Sequence, residues 1–192
     1  MQTTLMIYDG AAPADSDVQR TGGAPLAPSG FTWPMCGSCC GGPLQFFAHL
    51  PVEYGVLSAF VCQNEPACES WDATSGANRV YLFPRENLLP VAVPETGVTL
   101  LPITSASRTH VVTLAPEENG DHDELAPLGS LGGIPSYLED DRLPTCPSCA
   151  GTTELAAHLE EGISMRTAMN LGGQLGYVFV CRACCNGAFL TD

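Results

Sequence analysis

Ten cysteines fall into four tight groups, and this grouping constrains the chain more than any other feature: Cys36, Cys39 and Cys40; Cys62 and Cys68; Cys146 and Cys149; Cys181, Cys184 and Cys185. Each half of the chain holds a CxxC pair followed by a second pair. That supplies four thiolates per half, the number a closed tetrahedral zinc site takes. The expected ligands are Cys36, Cys39, Cys62 and Cys68 for one ion and Cys146, Cys149, Cys181 and Cys184 for another. Cys40 and Cys185 are left over. Cys184 is preferred to Cys185 because CRAC repeats the CxxC spacing, although a small backbone change would exchange them.

Two rival uses of these cysteines fit the sequence less well. A disulfide framework needs an oxidising compartment, but the start MQTTLMIYDG carries neither a basic stretch nor an apolar core of the kind that directs export. The expected location is therefore cytoplasmic, with reduced thiols. A thioredoxin-like redox pair opens a helix after a strand, whereas WPMCGSCCGG and LPTCPSCAGT are rich in Pro and Gly and read as turns. Spare thiols beside ligands are expected to behave as small buried hydrophobes.

The two halves read as copies of one unit. Gly22-Gly23-x-Pro25 matches Gly132-Gly133-x-Pro135, and Pro34 matches Pro144. Ala48-His49-Leu50 matches Ala157-His158-Leu159, and Phe60-Val61-Cys62 matches Phe179-Val180-Cys181. The second copy carries a longer hairpin loop, GISMRTAMNLGG, and loops absorb such changes. QFFAHL, VLSAFVC, ELAAHLE and YVFVC are short apolar runs bounded by Gly and Pro, which predicts strands. ELAAHLEE alone has helical propensity, but its partner with two adjacent Phe argues for a strand. NRVYLFP, GVTLLPI and THVVTLA add three strand candidates, and MQTTLMIY an edge strand for either half.

The expected architecture is mainly β: two homologous strand-rich repeats, each with a zinc-ribbon-like knuckle, with α+β as the fallback. Residues 1–115 form the first repeat with an N-terminal strand and extra strands, and 116–192 an acidic connection and the second repeat. PEENGDHDELAPLGS reads as that connection; its Asp121, His122, Asp123 and Glu124 lack the EF-hand pattern of Gly and Glu and read as a solvated loop.

These residues resemble two related groups, the YwqG-like bacterial proteins of unknown function and the eukaryotic programmed cell death protein 2 family. The likeness lies in GGxP (Gly22 to Pro25), WP before a cysteine knuckle (Trp33 to Cys39), PLxF (Pro43 to Phe46) and FVCxN…C (Phe60 to Cys68). SWDATSGANRVYLFP, residues 70–84, is similar to YwqG-type sequence after the knuckle. The resemblance implies a repeated, strand-rich architecture with zinc knuckles and, from the eukaryotic relatives, a chaperone role toward a newly made small-subunit ribosomal protein. The chain departs from that family in lacking an inserted MYND finger and in having His49 and His158 where Gln is usual.

Charge narrows the functional classes. Twenty-one Asp and Glu against seven Lys and Arg give a formal charge of -14, and two four-thiolate zinc sites, each net -2, would take it to about -18. Phosphate backbones would repel such a surface, so no nucleic acid is expected as a partner, whereas a basic protein suits it. No apolar run approaches the roughly 18 residues of a membrane helix. His49 and His158 are read as satisfied structural histidines, and Trp33 and Trp71 as packing over the sulfurs. No GxSxG, P-loop or HExxH occurs, and a zinc ion with four sulfur ligands has no open position for water. The expected function is thus a non-catalytic protein-interaction or chaperone-like module. The alternative is a metal-dependent enzyme with its site in a cleft between the repeats.

Overall fold

A computed structural model describes residues 3–64, 68–95, 106–114, 125–133, 143–161, 171 and 173–191. Among them are twelve strands: β1 (Thr3–Ala12), β2 (Arg20–Gly22), β3 (Leu26–Ala27), β4 (Gln45–Val52), β5 (Gly55–Val61), β6 (Asn78–Phe83), β7 (Leu89–Pro90), β8 (Ala106–Leu114), β9 (Pro127–Leu131), β10 (Glu154–Leu159), β11 (Gly176–Cys181) and β12 (Asn186–Thr191). No α-helix occurs among the described residues, so the chain is mainly β and the α+β fallback does not apply to them. The ELAAHL run is strand β10, because pairing with β9 and β11 overrides its helical propensity. GVTLLPI and residues 121–124 lie outside the described residues.

Ten strands close a barrel in the order β1-β8-β2-β4-β5-β6-β12-β11-β10-β9, and β3 and β7 form a separate pair. The first strand is not an edge. β1 pairs with β8 on one side and β9 on the other, so the segment expected to extend one half closes the whole sheet. Residues 1–115 supply β1 to β8 and residues 116–192 supply β9 to β12, all within this arrangement.

Alternation along the strands sorts side chains to two faces. Phe47, Leu50, Leu57, Ala59, Val61, Val80, Val178, Val180 and Phe189 are buried in one cluster that fills the barrel. On the opposite face, Phe46 and Phe60 pack with Trp33, Cys36, Leu44, Cys62 and Cys68. A second outer cluster joins Ala73 to Tyr177, Phe179, Ala188 and Leu190. The first knuckle and the loop carrying Cys68 are therefore lids on outward-facing aromatics of both outer clusters. Arg20 pins the neighbouring loop: fully buried, its guanidinium donates to the carbonyls of Ser16, Gly22 and Ala24 at 2.5–2.6 Å. Gly23, at φ +79°, is needed where the chain passes, since a Cβ there would strike the Ala14 carbonyl.

The hairpins β4–β5 and β10–β11 share one register. Phe46 pairs with Phe60, Ala48 with Ala59 and His49 with Ser58, with a bulge between Phe46 and Ala48. Leu155 pairs with Phe179, Ala157 with Val178 and His158 with Tyr177, with a bulge between Leu155 and Ala157. Thr21 faces Ala48 as Leu131 faces Ala157.

Candidate metal centres

The first centre is built where the 36–42 loop meets the end of β5. An isolated bridge between Met35 and Pro43 closes the loop, and Cys36 N–H donates to the Gly42 carbonyl at 2.7 Å. Cys62 follows β5, and Cys68 lies in the loop before β6. This loop settles onto the knuckle through two glycines: Gly37 N–H donates to the Gly76 carbonyl at 2.9 Å, and a Cβ at Gly76 (φ +79°) would sit 3.1 Å from Gly37 Cα. The sulfurs of Cys36, Cys40, Cys62 and Cys68 lie within 4.8 Å of one another. Cys39 and Cys68 are joined by a disulfide.

The gathered set thus differs from the expected one at one position, Cys40 in place of Cys39, and one pair of thiols is bridged where all were expected free. The cause of the first difference is loop length. The first knuckle runs from Met35 to Pro43 and the second from Thr145 to Thr152, one residue shorter. Counted back from the strand, Cys40-Gly41-Gly42 corresponds to Cys149-Ala150-Gly151, with Gly41 and Ala150 both left-handed (φ 63° and 56°). Cys39 is the inserted residue's neighbour and points to Cys68. The signal was present in the sequence: Ala48-His49-Leu50 and Ala157-His158-Leu159 stand in the same relation as Cys40 and Cys149, not Cys39 and Cys149.

The second centre brings together Cys146, Cys149, Cys181 and Cys184, again within 4.8 Å. Cys146 N–H donates to the Gly151 carbonyl at 2.9 Å, and a bridge between Thr145 and Thr152 closes the loop. Cys181 ends β11 and pairs with Asn186, so Cys184 sits in the tight turn to β12. Cys185 is exposed, at φ 58°, with Sγ 3.9 Å from the Arg182 carbonyl oxygen.

Sulfur spacing tests whether a metal fits. Zn–S bonds of about 2.3 Å at tetrahedral angles separate sulfurs by about 3.8 Å. The observed separations are 3.7 Å for Cys36 and Cys68, 3.5 Å for Cys40 and Cys62, 3.4 Å for Cys146 and Cys184 and 3.7 Å for Cys149 and Cys181. The donors fit a tetrahedral ion in both places, the first once the bridge to Cys68 is reduced. Hydrogen-bond donors already favour one thiolate per group. Burial raises the Cys36 thiol, but the N–H groups of Cys39, Ser38 and Cys40 overcome it and the net direction is down. Cys146 behaves alike, burial being outweighed by the N–H groups of Ser148 and Cys149. Cys62 and Cys184 resist a further negative charge. Burial, with Cys40 and Cys36 alongside, pushes Cys62 up to about 11, and burial, with Cys146 and Cys149 alongside, pushes Cys184 up to about 12. A divalent cation relieves this crowding. Asn64 supports the first group, its Nδ2 donating to the Pro43 carbonyl at 3.0 Å and lying 3.5 and 3.6 Å from the sulfurs of Cys62 and Cys40.

Neither histidine belongs to a sulfur group. His49 is buried on β4, facing Ser58, and its pKa falls to about 4 through burial and the Arg20 charge. His158 stacks on Tyr177 with centroids 5.0 Å apart, and burial lowers its pKa. Trp33 packs edge-on to Phe60 beside the first centre and donates to the Leu44 carbonyl at 2.9 Å, whereas Trp71 is 57% exposed, with Met35 at 54%. Among the described residues no helix is long and apolar enough to cross a membrane. Comparison of the chain with protein-family models, curated proteins and solved structures finds no match.

Proposed function

We propose that the protein is a non-catalytic interaction module, chaperone-like toward a basic client, whose two halves are copies of one unit and whose loops are each held by a structural zinc ion. The observation that carries this reading is the pair of four-sulfur groups at tetrahedral spacing. Four sulfurs complete the coordination of zinc and leave no position for a reacting water. The shared bulge and register of the two hairpins support duplication. So does the barrel order, in which exchanging β1 with β8, β2 with β9, β4 with β10, β5 with β11 and β6 with β12 returns the same ring. With β8 taken as the first strand of the second copy, rather than as the end of residues 1–115, the copies meet along the β6–β12, β1–β8, β1–β9 and β2–β8 ladders, which speaks against a catalytic cleft there. The likeness to the programmed cell death protein 2 family and the charge of -14 point to a basic client. Exposed Trp71 and Met35, on the loops of the first centre, are apolar anchors of the kind interfaces use.

The test is binding of purified small-subunit ribosomal proteins by the full chain. Binding to one basic member that weakens steeply between low and moderate salt, and falls about tenfold or more in Trp71→Ala with the melting temperature unchanged, is the expected result. Equal binding of acidic and basic proteins, or none, contradicts it.

A further inference from the structure

The two centres are not equivalent toward oxidants. Each half carries five cysteines, but only in the first does the fifth, Cys39, lie against a member of the four-sulfur group, bridged to Cys68. Cys68 belongs at once to the disulfide and to the four-sulfur group, 3.7 Å from Cys36. The second centre has no such neighbour: counted back from the strand, Cys39 corresponds to Ser148, and the extra thiol, Cys185, faces solvent near the Arg182 carbonyl.

We infer that the first centre is a thiol switch, in which Cys39 withdraws Cys68 from the metal under peroxide, while the second centre is a permanent staple. The inference rests on the zinc reading above. The Cys39 thiol and the Cys68 thiolate give two electrons to one hydrogen peroxide. One proton from solvent joins that of the thiol, two waters leave, the S–S bond forms and the Zn–S bond to Cys68 breaks. Cys36, Cys40 and Cys62 remain as three ligands, and the ion is released. The 68–77 segment, which carries Trp71, is then tied to the knuckle by carbon and sulfur alone. A dithiol reductant reverses the step by returning two electrons and two protons.

The experiment uses the reduced, zinc-loaded full chain, titrated with hydrogen peroxide in the presence of a chromophoric zinc chelator, with bridged cysteines mapped by mass spectrometry. The wild type is expected to release one of two ions, to show Cys39–Cys68 as the bridged pair, and to take zinc back after reduction. Cys39→Ser should release about tenfold more slowly, and Cys185→Ser like the wild type. Release from Cys39→Ser at the wild-type rate, simultaneous loss of both ions, or another bridged pair would overturn the switch. Zinc measured before peroxide separates the failures: fewer than two ions per chain means that the metal reading itself is wrong, whereas two ions with unselective release sinks the switch alone.

Discussion

At the scale of single residues, the buried guanidinium of Arg20 sits where loop carbonyls satisfy it, whereas Nδ1 of buried His49 finds no hydrogen-bond partner among the described residues. Arg20 is buried with three carbonyl acceptors, and burial lowers its pKa to about 10 against the pull of Asp15 and Asp17, so it stays charged. Arg20→Ala leaves those carbonyls without their donors and should cost about 1–3 kcal/mol or more in urea unfolding; a loss under 1 kcal/mol would mean that the loop is held by something else. His49 titrates near pH 6.5 when unfolded and near 4 when folded. The unfolded state therefore binds the extra proton first, so stability present above pH 6.5 is lost as pH falls toward 4, by about 3 kcal/mol. His49→Gln should flatten that part of the pH profile at equal zinc content, and an unchanged slope would assign it to other groups. On the zinc reading the thiolates act through the metal, so Cys36→Ser and Cys146→Ser should each lose one ion and most soluble yield, whereas Cys185→Ser should lose neither.

At the scale of elements, closure depends on β1. It is hydrogen-bonded on both sides, so removing residues 1–12 exposes the edges of β8 and β9 together. Unpaired edges template association, and the truncated chain should aggregate or elute as oligomers in size-exclusion chromatography; a soluble monomer would show that the barrel tolerates a gap. The cores of β4, β5, β10 and β11 were legible because short apolar runs end in Gly, Pro or Cys. The helical tendency of β10 was outvoted by its partner hairpin. Strand β12 was not legible, because NGAFLT follows a four-residue turn packed with candidate ligands and looked like the tail of the knuckle. Closure by β1 was equally hidden, since nothing local in MQTTLMIY says that both of its sides are paired. The sulfur sites were readable as to number and neighbourhood. Choosing Cys40 over Cys39 required counting from the strand rather than from the CxxC motif.

At the scale of the whole molecule, the barrel interior is apolar and the sulfur groups sit outside it, the first beside loops that cover outward-facing aromatics. On the duplication reading, each half lends its first strand to the other: β1 pairs with β9 and β8 with β2. Neither half then closes without its partner, and unfolding of metal-loaded chain should be one cooperative transition by far-ultraviolet circular dichroism and tryptophan fluorescence alike. Two separated transitions would argue for independent halves. What most directly decides the account is zinc K-edge X-ray absorption of the reduced protein. Sulfur alone in the first coordination shell, four atoms at about 2.3 Å, is the outcome the geometry requires. A nitrogen or oxygen scatterer, or protein purified without zinc and unable to take it up, would contradict it.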